Sequence, residues 1–203
     1  MYFVKTPKIV SSIFSCQKWK VKTDEPILYL TFDDGPTVQH TDWILQVLDN
    51  FNCKATFFCI GKNVQHLTQK YEKIISKGHK TGNHTFNHVK GWATKHNTYL
   101  KEVEQCSKMV NSKLFRPPYG KINFNQSKAL IKLGYEIIMW DVLSGDFDES
   151  LCKEKCLNNI TNNIENGSII VMHDSDKAAL RMKYSLPKFL KFALDKGYQF
   201  ETL

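Results

Sequence analysis

Apolar residues fall into two kinds of stretch that alternate along the chain. Short unbroken runs at 27–32, 55–60, 114–116, 135–140, 168–172 and 198–203 predict buried strands. The briefer 79–83 adds a seventh. Between them apolar positions recur at helical spacing, most clearly Trp43, Ile44, Val47, Leu48 and Phe51. That spacing predicts helices over 41–51, 64–76, 97–112, 126–133, 151–164 and 186–195, with Gly78 and Gly134 as stops. No repeat, linker or low-complexity stretch interrupts the alternation.

Strands alternating with helices predict an α/β fold with a parallel sheet covered by helices. Every segment with candidate chemistry lies just after a different strand. In a closed parallel barrel the C-terminal strand ends converge on one mouth, whereas an open sheet spreads them along an edge. The expectation is therefore a single-domain, distorted (β/α) barrel of about seven parallel strands, with its active site at the C-terminal strand ends. The domain is expected over 26–203, preceded by a lead-in at 1–25.

Composition narrows this little. The chain has 203 residues, 42% of them hydrophobic and 24% charged, which suits one globular domain. No apolar run approaches the roughly 20 residues needed to span a bilayer. Lys5, Lys8, Gln17 and Lys18 break up the apolar residues of the first twenty, so that segment reads as a structured lead-in rather than a signal peptide. A cytoplasmic or peripheral envelope location is expected. The 28 basic and 20 acidic residues give a net charge of +8, but the lysines are scattered and no run of five forms. Nucleic acid is therefore not an expected partner. The six cysteines, Cys16, Cys53, Cys59, Cys106, Cys152 and Cys156, include no Cys-x-x-Cys pair and are expected as free thiols. A monomer is expected.

Chemistry enters at Thr31-Phe32-Asp33-Asp34-Gly35-Pro36. Two adjacent carboxylates stand where a buried strand meets solvent. Like charges side by side are costly unless a cation or proton separates their roles. His84 and His88, four apart, would share one face of a helical turn and reach one ion together. Two histidines and a carboxylate form a common hydrolytic metal set with positions left for water and substrate. Three further segments follow strands: Arg116-Pro117-Pro118-Tyr119-Gly120, Trp140 to Phe147, and His173-Asp174.

In this order, the five segments resemble those of the polysaccharide deacetylase family, the NodB-homology domains that remove acetyl groups from amino sugars or esters. The likeness runs from about Pro26 to Leu203. It implies the same distorted barrel. It also implies that Asp34, His84 and His88 hold a metal ion, Zn²⁺ or alternatively Co²⁺, Ni²⁺ or Mn²⁺. Asp33 resembles the general base and Arg116 the residue that orients it. His173 resembles the general acid and Asp146 its carboxylate partner, with Asp141 as a rival for that role. The backbone N–H of Tyr119 resembles the oxyanion donor, and Pro118, Tyr119 and Phe147 are expected against substrate.

The chain departs from the family in the fourth segment, which usually reads Asp-x-x-Asp-Trp. Here the first acid is Leu143 and the tryptophan is Phe147. Neither change removes a ligand, base or acid, but both alter the expected pocket. The resemblance implies removal of N-acetyl groups from N-acetylglucosamine units of peptidoglycan or chitin-type oligosaccharides. An O-acetyl ester hydrolase acting on xylan, or a glycan-binding module without catalysis, are the alternatives.

Overall fold

The fold is built outward from β1 (Ile27–Asp33), which is buried from Leu28 onward. A computed structural model describes residues 2–203. β1 pairs with β2 (Thr56–Cys59) on one side and with β7 (Ile169–His173) on the other. β3 (Lys80–Asn83), β4 (Leu114–Phe115) and β5 (Glu136–Ile137) continue beyond β2, and β6 (Val142–Leu143) continues beyond β7. These seven strands run in the order β5-β4-β3-β2-β1-β7-β6, every pair parallel. β8 (Gln199–Phe200) lies off this path and pairs with the start of β1.

Alternate residues of a strand face opposite sides, and β1 uses both. Leu28, Leu30 and Phe32 join the large core beneath the helices. That core is covered by α2 (Thr41–Asn50), α3 (Gly61–His66), α4 (Thr68–Ser76), α7 (Lys153–Thr161) and α8 (Ala179–Asp195). A second cluster seats α5 (His96–Ser107) and α6 (Phe124–Lys132) on Phe115 and Ile137. Tyr29 instead joins Phe58, Ile138 and Ile169 inside the barrel. Thr31 and Asp33 share that inner parity, so the interior turns polar toward the mouth.

β5 and β6 do not pair with each other; the N-terminal segment lies between them. Lys18 bridges Ile138 in parallel and Lys5 bridges Val142 in antiparallel sense. Met139 N–H donates to Lys18 O at 2.7 Å, and Leu143 N–H donates to Val4 O at 2.8 Å. α1 (Lys8–Ile13) connects these two contacts. Lower down, Val21 N–H donates to Gly167 O at 2.9 Å. A Cβ on Gly167, whose φ is +80°, would stand 1.9 Å from Val21 O. Only glycine admits the segment there.

The expected barrel is present, but its strand inventory differs. β6 is not among the expected strands, because a two-residue strand carries no periodicity. The last expected strand, β8, lies off the main path. The expected helix at 64–76 is two helices, broken at Leu67 (φ −126°, ψ 42°). The Thr68 hydroxyl donates to Val64 O at 3.1 Å there, a local competitor for the helix ladder. α8 begins at Ala179, well before the expected 186, and carries Pro187 in its interior. A proline inside a helix removes a ladder bond, but buried Met182, Ser185, Leu186, Phe189 and Leu190 hold one continuous helix across Pro187. All six cysteines are free thiols, as expected.

Asp141 belongs to this scaffold. Its Oδ2 accepts from Lys5 Nζ at 2.6 Å and from Ser168 Oγ at 2.5 Å. Lys5 keeps Asn163 O and Glu165 Oε1 as acceptors, but Asp141→Ala should leave the buried Ser168 hydroxyl without its acceptor and cost about 1–3 kcal/mol. Thermal unfolding should then start several degrees lower. An unchanged melting temperature would contradict this anchoring role.

Candidate active site

Strand register brings the chemical residues to one level. Asp33 stands beside Phe58 on one side and His173 on the other. Cys59 stands beside Asn83, and Asn83 beside Phe115. The residues that follow these positions, Asp34, His84 and Arg116, therefore emerge together at the mouth.

The two adjacent aspartates separate because Asp34 adopts a left-handed backbone (φ 78°). Asp33 turns to Arg116 and Asp34 to the histidines. The turn is held from three directions. Asp174 N–H donates to Asp33 O at 2.8 Å, Ile60 N–H donates to Gly35 O at 3.0 Å, and Asn63 Nδ2 donates to Asp34 O at 2.8 Å. Asp174 itself is buried and accepts from the hydroxyls of Thr37 at 2.6 Å and Thr41 at 2.5 Å. A Cβ on Gly35 would meet Asp174 Oδ2 at 2.4 Å, so glycine is needed for this approach.

Arg116 is wholly buried, and its donors are distributed around the mouth. Nη1 donates to Asp33 Oδ1 at 2.7 Å and to Thr31 Oγ1 at 2.6 Å. Nε donates to Ile138 O at 3.2 Å and Nη2 to Met139 O at 2.9 Å. The guanidinium lies 4.1 Å from the centre of the Phe58 ring. The Arg116 carbonyl accepts from His84 Nδ1 at 2.7 Å. That bond fixes the proton of His84 on Nδ1 and leaves Nε2 as a free lone pair.

His84 Nε2 lies 3.7 Å from Asp34 Oδ1, and His88 Nε2 lies 3.2 Å from it. The three donor atoms all fall within 4.8 Å of one another. Bonds of about 2.0–2.1 Å at tetrahedral angles separate ligands by about 3.3 Å, so this triad has the span of a divalent-cation site. Burial pushes the His84 pKa down to about 4, with His88 adding to the shift against Asp33 and Asp34. The ring is thus neutral at pH 7, as a ligand must be. Burial pushes the Asp34 carboxyl up. The His88 hydrogen bond and the charges of His173, His84 and His88 outweigh it and hold the group below its ordinary value. The residues fit a metal ion.

The histidine pair is not on a helical turn, contrary to its spacing. Thr85 (φ 62°) and His88 (φ 57°) are left-handed. Outside partners replace the helix ladder. Phe86 N–H donates to Glu102 O at 3.1 Å, Asn87 N–H to Glu102 Oε2 at 2.8 Å, and Gly61 N–H to Thr85 O at 3.0 Å.

Beside the triad, His173 Nδ1 donates to Asp146 Oδ1 at 2.7 Å, and His173 N–H donates to Asp146 Oδ2 at 2.8 Å. Arg181 Nε donates to Asp146 O at 2.6 Å and fixes that loop from below. Burial alone would lower the His173 pKa. The Asp146 charge and hydrogen bond, with Asp34 and Asp33 behind them, raise it to about 9. Asp146, not Asp141, therefore faces the histidine. Phe147 meets the His173 ring edge-on, centroids 5.1 Å apart. On its other side Tyr2 packs at 5.1 Å and donates its hydroxyl to Asp148 at 2.8 Å. The pocket wall altered at Phe147 thus carries a second aromatic ring.

Tyr119 has a left-handed backbone (φ 60°, ψ 10°), and its ring lies 4.7 Å from His88. Pro118 is buried in that turn, next to Tyr119, which lines the cleft. A cavity of about 720 Å³ is lined by Asp33, Asp34, His84, His88, His173, Tyr119 and Phe147 together with the N-terminal segment. Sequence reasoning passed over Tyr2, Glu102 and Arg181, which have no local signal. Asp174, adjacent to His173, had one.

A sequence profile of the polysaccharide deacetylase family matches residues 20–138. A peptidoglycan-N-acetylglucosamine deacetylase of Bacillus cereus is 31% identical over 191 residues, 91% of this chain and 90% of that protein. A crystal structure of a peptidoglycan N-acetylglucosamine deacetylase in complex with 4-naphthalen-1-yl-N-oxidanyl-benzamide superposes with a TM-score of 0.90. It is 29% identical, over 98% of this chain and 95% of that one. The peptidoglycan deacetylase PdaC from Bacillus subtilis superposes with a TM-score of 0.78 at 27% identity, over 90% of each chain.

The His173–Asp146 pair carries a pH signature. The folded pKa of about 9 lies above the ordinary 6.5, so the pair's stabilisation is complete below pH 6.5 and is lost as pH rises through 9. In metal-free protein, His173 should titrate near 9 by NMR, and unfolding free energy should decline between these limits by on the order of 3 kcal/mol. Asp146→Asn should bring the His173 titration down and flatten the decline. A titration unmoved by Asp146→Asn would break the assignment.

Proposed function

The chain belongs to the polysaccharide deacetylase family, and we propose that it is a metal-dependent hydrolase that removes N-acetyl groups from N-acetylglucosamine units of peptidoglycan or chitin-type oligosaccharides. One observation carries the reading. A carboxylate held by a buried arginine and an imidazole held by a buried carboxylate flank a His₂Asp triad in one cleft. A glycan-binding module has no use for a base and an acid so disposed.

The chemistry is amide hydrolysis: a bond forms from water oxygen to the acetyl carbon, the carbon–nitrogen bond breaks, and acetate leaves a free amine. Asp34, His84 and His88 would hold a divalent cation, Zn²⁺ being the proposed one. When bound, such an ion supplies Lewis acidity to a carbonyl oxygen and to water. Asp33 accepts the proton of the attacking water. The Arg116 bond leaves its second oxygen for this task and fixes its orientation. His173 is engaged through Nδ1 by Asp146, so its Nε2–H is the proton given to the leaving nitrogen. The Tyr119 backbone N–H is proposed for the oxyanion, its left-handed turn being held by the Pro117–Pro118 pair. Leu143 and Phe147 give the acetyl pocket an apolar wall.

Acetate release should be measured on N-acetylated and O-acetylated glycans, with and without a chelator. The reading expects chelator-sensitive release from N-acetylglucosamine oligomers or peptidoglycan. Release from acetylated xylan alone would replace it with the esterase reading. Asp33→Asn should keep the metal and reduce kcat by at least about 100-fold, while Asp34→Asn should lose both. His84→Ala combined with His88→Ala should abolish metal binding in a folded chain. Normal metal content in that double variant would remove the triad from the site.

A further inference from the structure

The N-terminal segment is also part of the cleft. Around the barrel mouth, Tyr119 follows β4 and Phe147 follows β6, and the segment fills the arc between these strands. Tyr2, Phe3, Val10 and Phe14 line the same cavity as the triad, so this wall is continuous with the reacting groups. Five aromatic side chains are exposed among the described residues: Phe3, Phe14, Trp92, Tyr119 and Phe124. Four of them, all but Phe124, line this one cleft. Single exposed apolar residues are ordinary, but their concentration in one groove marks a binding surface.

The two N-terminal rings are not accounted for by folding. Phe3 is 61% exposed and Phe14 46%. The segment is anchored by other groups: Tyr2 on Phe147 and Asp148, Lys5 on Asp141, and backbone bonds at Val4, Thr6 and Lys18. A pyranose ring presents an apolar C–H face bordered by hydroxyls. It matches an exposed flat ring better than an aliphatic side chain does, and a glycan extends such faces to either side of the reacting unit.

We propose that the segment 2–19 forms a sugar-binding subsite in which Phe3 and Phe14 stack on pyranose units neighbouring the one that is deacetylated. The inference rests on the deacetylase reading for its ligand class and adds to it a determinant of chain length. Turnover of the reacting unit itself does not involve these rings.

The test uses the full chain. Chitin-type oligosaccharides from disaccharide to hexasaccharide are titrated into an Asp33→Asn background, and acetate release is followed in parallel with an intact Asp33. Phe3→Ala with Phe14→Ala should weaken hexasaccharide binding about tenfold and raise KM to match, with kcat unchanged. Disaccharide binding should change far less. Phe3→Tyr should restore affinity, whereas Phe3→Leu, apolar but not flat, should not. Melting temperatures of all variants should stay close to the parent. Equal losses at every chain length, no loss at all, or full rescue by Phe3→Leu would overturn the subsite. Absence of acetate release from every N-acetylated glycan by the parent chain would instead overturn the deacetylase reading. The binding isotherms would then still decide the subsite.

Discussion

A guanidinium with no access to water organises the mouth of this barrel. Arg116 ties Asp33 on β1 to the carbonyls of Ile138 and Met139 beyond β5 and lies on Phe58 of β2. Its own carbonyl sets the tautomer of His84. Removing either member of such a pair leaves a buried charge without its partner, at a cost of about 3–5 kcal/mol. Replacing both by well-packed apolar residues need cost nothing in stability. The pair is therefore better explained by what it positions than by what it stabilises: one carboxylate and one imidazole lone pair, aimed at the same small volume.

Across that volume the opposite device appears. Asp33 and His173 are neighbours in register, yet each has a partner of opposite sign on its far side. Arg116 sets a fixed positive charge against the Asp33 carboxyl, and Asp146 favours an imidazole that stays protonated. Two groups with opposite partners can thus stand side by side on adjacent parallel strands. The strand pairing supplies the proximity, and the buried partners supply the difference.

Much of this was legible in the chain. The apolar run ending at Asp33 predicted a central strand, and the placement of each motif after a strand predicted convergence. What escaped was set by contacts distant in sequence. The histidine loop has helical spacing but is shaped by Glu102 and Gly61, which no local window includes. β6 is too short for a period-two pattern and exists through its neighbour β7. Asp146 is the expected partner of His173, but the letters alone leave Asp141 as a rival. Lys5 and Ser168 claim Asp141 and His173 claims Asp146, from opposite ends of the barrel. The N-terminal segment, broken by lysines, looked like a preface because its partners lie beyond residue 136.

That last separation has a consequence for biosynthesis. At roughly 5–20 residues per second, the ribosome makes the strands that receive the N-terminal segment on the order of ten seconds after the segment itself. Until then Val4 and Lys18 have no backbone partners, and Phe3, Ile9, Ile13 and Phe14 accompany a growing chain whose seam has not been made. Residues made early are thus among the last to be locked into the barrel. Nascent-chain quality control meets this wall of the cleft as an unpaired apolar stretch well before a cleft exists.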